Sequence, residues 1–573
     1  MKNNFKKGLI VFLTFALVFS FVGCAQQVEE ENLGGQEQNN EENEETALNP
    51  ENKVPKIEFW IFSQTKDPIR YEAGLMIAEA WKDLGFEVDA QVLEWATMSA
   101  EGFKGHRHDA FIVQWGGKPE RVDPYHWLYV MHHSETAKEG GYNIAGYINP
   151  KYDELAEQFA FNNDPQARQE AAHEMQEMLT RDVPQPSMFK RKLTQSYNGA
   201  KFENITPGIG EGLYSFWNFV NITPTGEDKI LNFGAVTDIQ LLNPLTTKKG
   251  QDQYMLKLIY DPLLRIDENG EIVNWIASSY ESVDDTTIEV TIRDDVYFHD
   301  GEPLTAEDVK FTFDFAMETQ APYYYSQIKA LESVEIVEEN KLVFKLSKPF
   351  APFISNGFTM CGILPKHIWE KEYKEKGAEA VLQWENVPAI GSGPFKFDYW
   401  RVNEEFALEA NKEHFYAPQI DGILRIPYTN DYGVIQGQIA NEVDMNGANL
   451  LPMDLEEIAK NVDIETVEIP DLGSYIMHFN MRNQPFNDVY ARRALTMAIP
   501  REAIIEVVMG GQGFKAFNPV AAENTFWYNG DTEELDFDLE KAREELKEAG
   551  YLWDEDGKLY YSDDFEATSF LSE

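Results

Sequence analysis

The chain has 573 residues, 43% apolar and 13% aromatic, with two cysteines and a formal net charge of −49. That is material for two or three cores at about 100–200 residues each, and it excludes a small disulfide-stapled scaffold. Residues 54–573 alone hold 89 acidic and 45 basic side chains. Such an acidic body excludes nucleic acid as a partner and is repelled by anionic lipid. Dispersed acidity reads first as a solubility feature and only second as a sign of a cationic ligand.

In chain order, Lys2, Lys6 and Lys7 precede an apolar run of 14 residues, Leu9 to Val22, that ends at Gly23-Cys24. A bilayer core of about 30 Å needs roughly 20 such residues. The pattern therefore predicts a lipoprotein signal peptide over 1–24 with Cys24 as the lipidated residue, an uncleaved anchor being the alternative. Residues 25–54 lack aromatics and are rich in Glu, Gln and Asn, which predicts an acidic disordered tether. Cys361 sits among apolar residues, as a buried inert thiol would.

Alternation over Lys56–Phe62, helical spacing over Ile69–Leu84 with a stop at Gly85, and renewed alternation from Phe86 to Val92 predict a strand, helix, strand unit. Ala110–Trp115 reads as a buried strand that ends in a tight loop at Gly116-Gly117. Asp164-Pro165 caps a helix whose buried face carries Ala171, Met175, Met178 and Leu179. Further on, Ser282–Arg293 and Ser333–Leu346 alternate like paired strands, and Thr305–Met317 is a capped helix. Ala491–Val508 and Leu539–Gly550 complete the helices.

Tyr260-Asp-Pro-Leu-Leu264, Trp275-Ile-Ala-Ser-Ser-Tyr280, Phe298-His-Asp-Gly-Glu-Pro-Leu-Thr-Ala306, Gly391-Ser-Gly-Pro-Phe395 and Ala491-Arg-Arg-Ala-Leu495 stand in an order that resembles the opening of the family 5 extracellular solute-binding proteins. These are the peptide, nickel and oligosaccharide receptors of ABC importers. The segments expected last in that family, Trp60–Gln64, Trp115–Pro124, Asn143–Asp153 and Phe216–Asn221, lie upstream instead. The order implies either a circular permutation or a fusion of two fragments. The resemblance implies an α/β (α+β), bilobal fold like the type II periplasmic binding proteins with an extra lobe. Residues 55–225 would supply its C-terminal part and 226–573 its N-terminal part. Lobe I would take 226–265, 386–480 and 195–225, lobe II 266–385, and lobe III 481–573 with 55–194.

That fold implies a ligand cleft between lobes. In peptide-binding relatives the loop after the strand matching Ala110–Trp115 carries an aspartate for the ligand's amino group. Here Lys118 stands near that place, with Asp123 as a substitute or the amine absent from the ligand. Trp115, Gly116, Gly117, Lys118, Asp123, Asn143, Tyr214, Asp261 and Tyr324 are the candidate ligand residues. Trp115 can equally be a core tryptophan, Asn143 rests on the resemblance alone, and Asp261 can simply cap a turn before Pro262. His106, His108, His126, His132 and His133 raise metal binding, but no recognisable ligand spacing completes the set. Ser187-Met-Phe-Lys190 matches an acyl-transferase tetrad without its companion motifs.

The expected protein is thus no enzyme and needs no cofactor. It is a monomeric, lipid-anchored, extracytoplasmic receptor that hands oligopeptide to ABC permease subunits. Oligosaccharide is the alternative ligand, and a surface hydrolase or a non-functional fusion are the rivals of other classes.

Overall fold

The computed structural model describes residues 48–571 apart from Lys248, Lys249 and Pro470. The expected signal peptide, Cys24 and most of the tether lie outside the described residues. Among those described, no helix is long and apolar enough to cross a membrane.

Three sheets organise the molecule. In the first, Ile57–Phe62 pairs in parallel with Val88–Leu93 and with Ala110–Trp115. The crossover helix Pro68–Asp83 starts where the Asp67 side chain accepts from the Arg70 N–H and Pro68 has no N–H to satisfy. It stops at Gly85, which adopts a φ of +106°. Beyond Ala110–Trp115 the sheet adds Ser474–Phe479, antiparallel from Ser474↔Trp115 to Phe479↔Ala110, then Ser187–Arg191 and Gly513–Lys515.

The second sheet runs in the order Phe395–Arg401, Glu405–Ala410, Gly422–Tyr428, Ile230–Val236, Met445–Asn446, Leu193–Asn198, Ile464–Ile469. The third is an antiparallel sheet of four strands between Ala277 and Leu346. Strands from upstream of residue 225 and downstream of 226 therefore alternate within two of the three sheets.

The chain passes between the first and second sheets from Arg191 to Leu193 and again from Ile469 to Ser474. The stretch 386–480 expected in one lobe thus contributes to two sheets, since Ser474–Phe479 pairs with Ala110–Trp115 of the first. Two element expectations also change. Ser282–Arg293 and Ser333–Leu346 do not pair as two single strands: each spans a hairpin, Ala277–Asp284 with Thr287–Ile292 and Leu331–Glu338 with Lys341–Leu346. The Ala491–Val508 helix divides into Val489–Met497 and a turn from Arg501, because Pro500 interrupts it.

The end of the expected tether is built into the fold. Asn49 caps a turn at Pro50–Asn52, Lys53 bridges to Tyr560, and the Val54 N–H donates to the Leu559 carbonyl at 3.0 Å. The junction between the two expected parts starts as a short pair between Phe202–Glu203 and Thr223–Pro224, after which residues 225–230 are exposed. Cys361 is buried, and burial pushes its thiol pKa up, as its apolar context predicts.

Candidate ligand cleft

Parallel strands direct their carboxyl ends to one edge of a sheet, and α/β proteins place ligands beyond that edge. In the first sheet those ends are Phe62, Leu93 and Trp115. In the second, Ile230–Val236 is parallel to Gly422–Tyr428 and to Met445–Asn446, so the ends are Val236, Tyr428 and Asn446. The two crossings between the sheets form a hinge beside these ends.

Trp115 closes its strand half-buried, and its indole N–H donates to His478 Nε2 at 3.2 Å. The Phe103, His126, Trp127 and Tyr142 rings surround it at 5.3–6.3 Å between centroids. Gly116 faces open space. The Gly117 N–H donates to Asp471 Oδ1 at 3.0 Å, and that oxygen also accepts from the Gly473 N–H. The loop is thus tied to the hinge. Burial raises the Asp471 pKa, and the two N–H groups work against that rise.

Across from the loop, a Cβ placed on Gly210 would lie 3.0 Å from the Lys118 N, so the 208–212 turn packs directly on it. Tyr214 stacks on Tyr254 at 4.8 Å and abuts Gly447, just past the Met445–Asn446 strand. Glu211 and Lys257 pair at 2.7 Å in the same region. Burial pushes the Glu211 carboxyl up even with the lysine beside it. Tyr432, Leu451 and Met453 are exposed beyond the second sheet's strand ends.

The structure keeps Trp115, Gly116, Gly117 and Lys118 in one loop, with Tyr214 four residues beyond the Gly210 turn that packs on it, and commits the remaining candidates to other partners. Asp123 is committed: Oδ2 accepts from Arg168 at 2.7 Å and Oδ1 from the Tyr125 N–H. It offers no free carboxylate as a substitute, and that expectation is corrected. Asn143 is fully buried and donates to the carbonyls of His132, His133 and Tyr147 while accepting from the Tyr147 N–H. It holds a loop. Asp261 is enclosed by Arg265, Trp275, Ser392 and His414. Tyr324 is buried with its hydroxyl on the Gly362 carbonyl at 2.8 Å.

Sequence reasoning missed Glu120, Arg121, Glu211, Tyr254 and Asp471. Glycines at 208, 210 and 212 are the local signal that could have pointed to a close backbone approach around Glu211, whereas nothing local singles out Asp471. Ser187 and Lys190 sit three apart on one strand, hence on opposite faces, and Lys190 is ion-paired with Glu523. Among the described residues no group of three or more His, Cys, Asp or Glu is placed to hold a metal.

The model described as bacterial extracellular solute-binding proteins, family 5 Middle, matches residues 271–572. The chain belongs to this family. Its members are binding proteins rather than enzymes. The solute-binding chain is 29% identical over 357 residues to the oligopeptide-binding protein AppA of Bacillus subtilis, covering 57% of this chain and 62% of that protein. It is 28% identical over 302 residues to the dipeptide-binding protein of Escherichia coli, covering 49% and 55%. It therefore spans less than two thirds of these relatives' length. A solved structure of AppA with a nonapeptide aligns at a TM-score of 0.43 and 26% identity, over 57% of this chain and 67% of that one.

Proposed function

We propose that this family member is the substrate-binding receptor of an ABC importer, closing its lobes on an oligopeptide and passing it to permease subunits. The observation that carries the reading is the meeting of two sets of parallel-strand ends across a two-stranded hinge, with Trp115, Tyr254 and the Glu211–Lys257 pair at the junction. Closing such a cleft strips water from a ligand on both sides and gives the permease a changed surface to read. The peptide-binding relatives favour peptide. Oligosaccharide is the second reading, favoured by the aromatic cluster at Trp115 and by Lys118 where an ammonium group would be repelled.

The proposal includes lipid attachment at Cys24 outside the cytoplasm and a circularly permuted order. The permutation is supported by the pairing of Lys53 and Val54 with residues 559–560 and by the exposed link at 225–230. Thermal unfolding of the full-length protein with separate peptide and oligosaccharide pools tests the function. Ligand at about a hundred times its Kd adds about 2.7 kcal/mol. A shift with peptides supports the first reading, one with sugars alone supports the second, and indifference to both overturns the receptor.

A further inference from the structure

The loop leaving Ala110–Trp115 carries a partly buried cation, Arg121, with few polar partners of its own. Arg492 and Arg501 each donate to three backbone carbonyls. Arg168 and Arg265 each meet a carboxylate, at 2.7 and 2.9 Å. Arg121 donates its side chain to the Gly116 carbonyl alone. No carboxylate among the described residues is within ion-pair distance of it, in a body where 89 acidic side chains face 45 basic ones. Its sequence neighbour Glu120 is instead 3.9 Å from Lys118.

The guanidinium is nevertheless held in place. It lies 4.9 Å from the Trp127 ring centroid and 5.7 Å from that of Trp115. Two indole faces and one carbonyl fix its position without neutralising it. Beside it His126 Nε2 is buried with no hydrogen-bond partner, its ring 5.3 Å from Trp115 and 5.7 Å from Tyr142. Burial disfavours the arginine's charged form, while Glu120, Tyr142 and Asp471 nearby work against that without forming an ion pair with it. A planar fork left this way matches a carboxylate, which would bind it through two parallel N–H bonds. An ammonium group at the same place would meet Arg121 and Lys118 together.

We propose that Arg121, assisted by Lys118, receives a free carboxylate of the ligand, so that the transported solutes are those presenting a carboxylate to the Trp115 loop. This rests on the receptor reading above and reverses the polarity expected for an amino-terminal contact.

The test uses the full-length protein and three matched pools of one tripeptide set: unblocked, N-acetylated and C-amidated. Acetylation should change Kd by less than about twofold, and amidation should weaken binding about tenfold or more. Arg121→Gln should bind acid and amide alike, with Lys118→Gln showing a smaller loss. Equal binding of acid and amide by the unaltered protein overturns the assignment, and this comparison needs no variant to fold. If no peptide pool binds, the peptide reading fails by itself. The carboxylate is then read from oligogalacturonates against neutral galactose oligomers: preference for the acidic set sustains it, and equal or absent binding of both overturns it.

Discussion

Asp261 gathers Arg265, Trp275, Ser392 and His414 around one carboxylate that has no exposed surface. Burial alone would raise its pKa, but His414 and Arg265 hold it well below the usual carboxylate range. Asp261→Asn strands a buried guanidinium, and an expected loss of about 3–5 kcal/mol should appear in the urea midpoint. Buried imidazoles set a second dependence. Burial lowers His132 and His299 from 6.5 to about 4 and His108 to about 3. The unfolded chain takes up these protons near pH 6.5 while the folded one refuses them, so stability is full above that pH and falls towards 4. Each site should cost ~2 kcal/mol at pH 5; a urea midpoint equal at pH 7.5 and 5 would contradict this. Residue chemistry was legible in the sequence, but residue employment was not. Asp123 is bound to Arg168 and Trp115 to His478, partners 45 and 363 positions away. Nothing local tells a committed carboxylate from a free one.

At the scale of elements, the strand, helix, strand unit and the Ala110–Trp115 strand were readable because periodicity, Asp67 and Gly85 agree locally. The hairpins in Ala277–Ile292 and Leu331–Leu346 were hidden because alternation continues through their turns. The hinge was hidden for a different reason: which sheet Ile464–Ile469 and Ser474–Phe479 each join is set by partner strands hundreds of positions away, Leu193–Asn198 and Ala110–Trp115. The Gly116-Gly117 pair distinguishes its two members. A Cβ on Gly117 would come within 2.2 Å of Asp471 Oδ1 and 2.6 Å of the Leu472 N, whereas Gly116 has room. Gly117→Ala should therefore lower stability by about 1–3 kcal/mol and weaken ligand binding, while Gly116→Ala should leave the melting temperature unchanged. Equal effects in differential scanning calorimetry would remove the contact between loop and hinge from the account.

For the whole molecule, interleaving has a mechanical meaning: neither 48–226 nor 227–573 contains a complete first or second sheet. Expressed separately each piece should fail to unfold cooperatively, and co-expressed they should purify together with one transition. A chain reordered to run 227–573 and then 48–226 should keep the melting temperature and the ligand response, and its failure to fold would count against the permutation. The family resemblance made the set of segments legible but left their assembly open, because pairing across hundreds of residues leaves no local mark. The clamp of Lys53 and Val54 onto residues 559–560 also fixes where the start of the described residues is held. Leu559 is tied onward to Gly85, at the end of the Pro68–Asp83 helix. Any pull that reaches residue 48 along the chain is therefore borne by the first sheet and its crossover helix rather than by the Ile230–Val236 sheet.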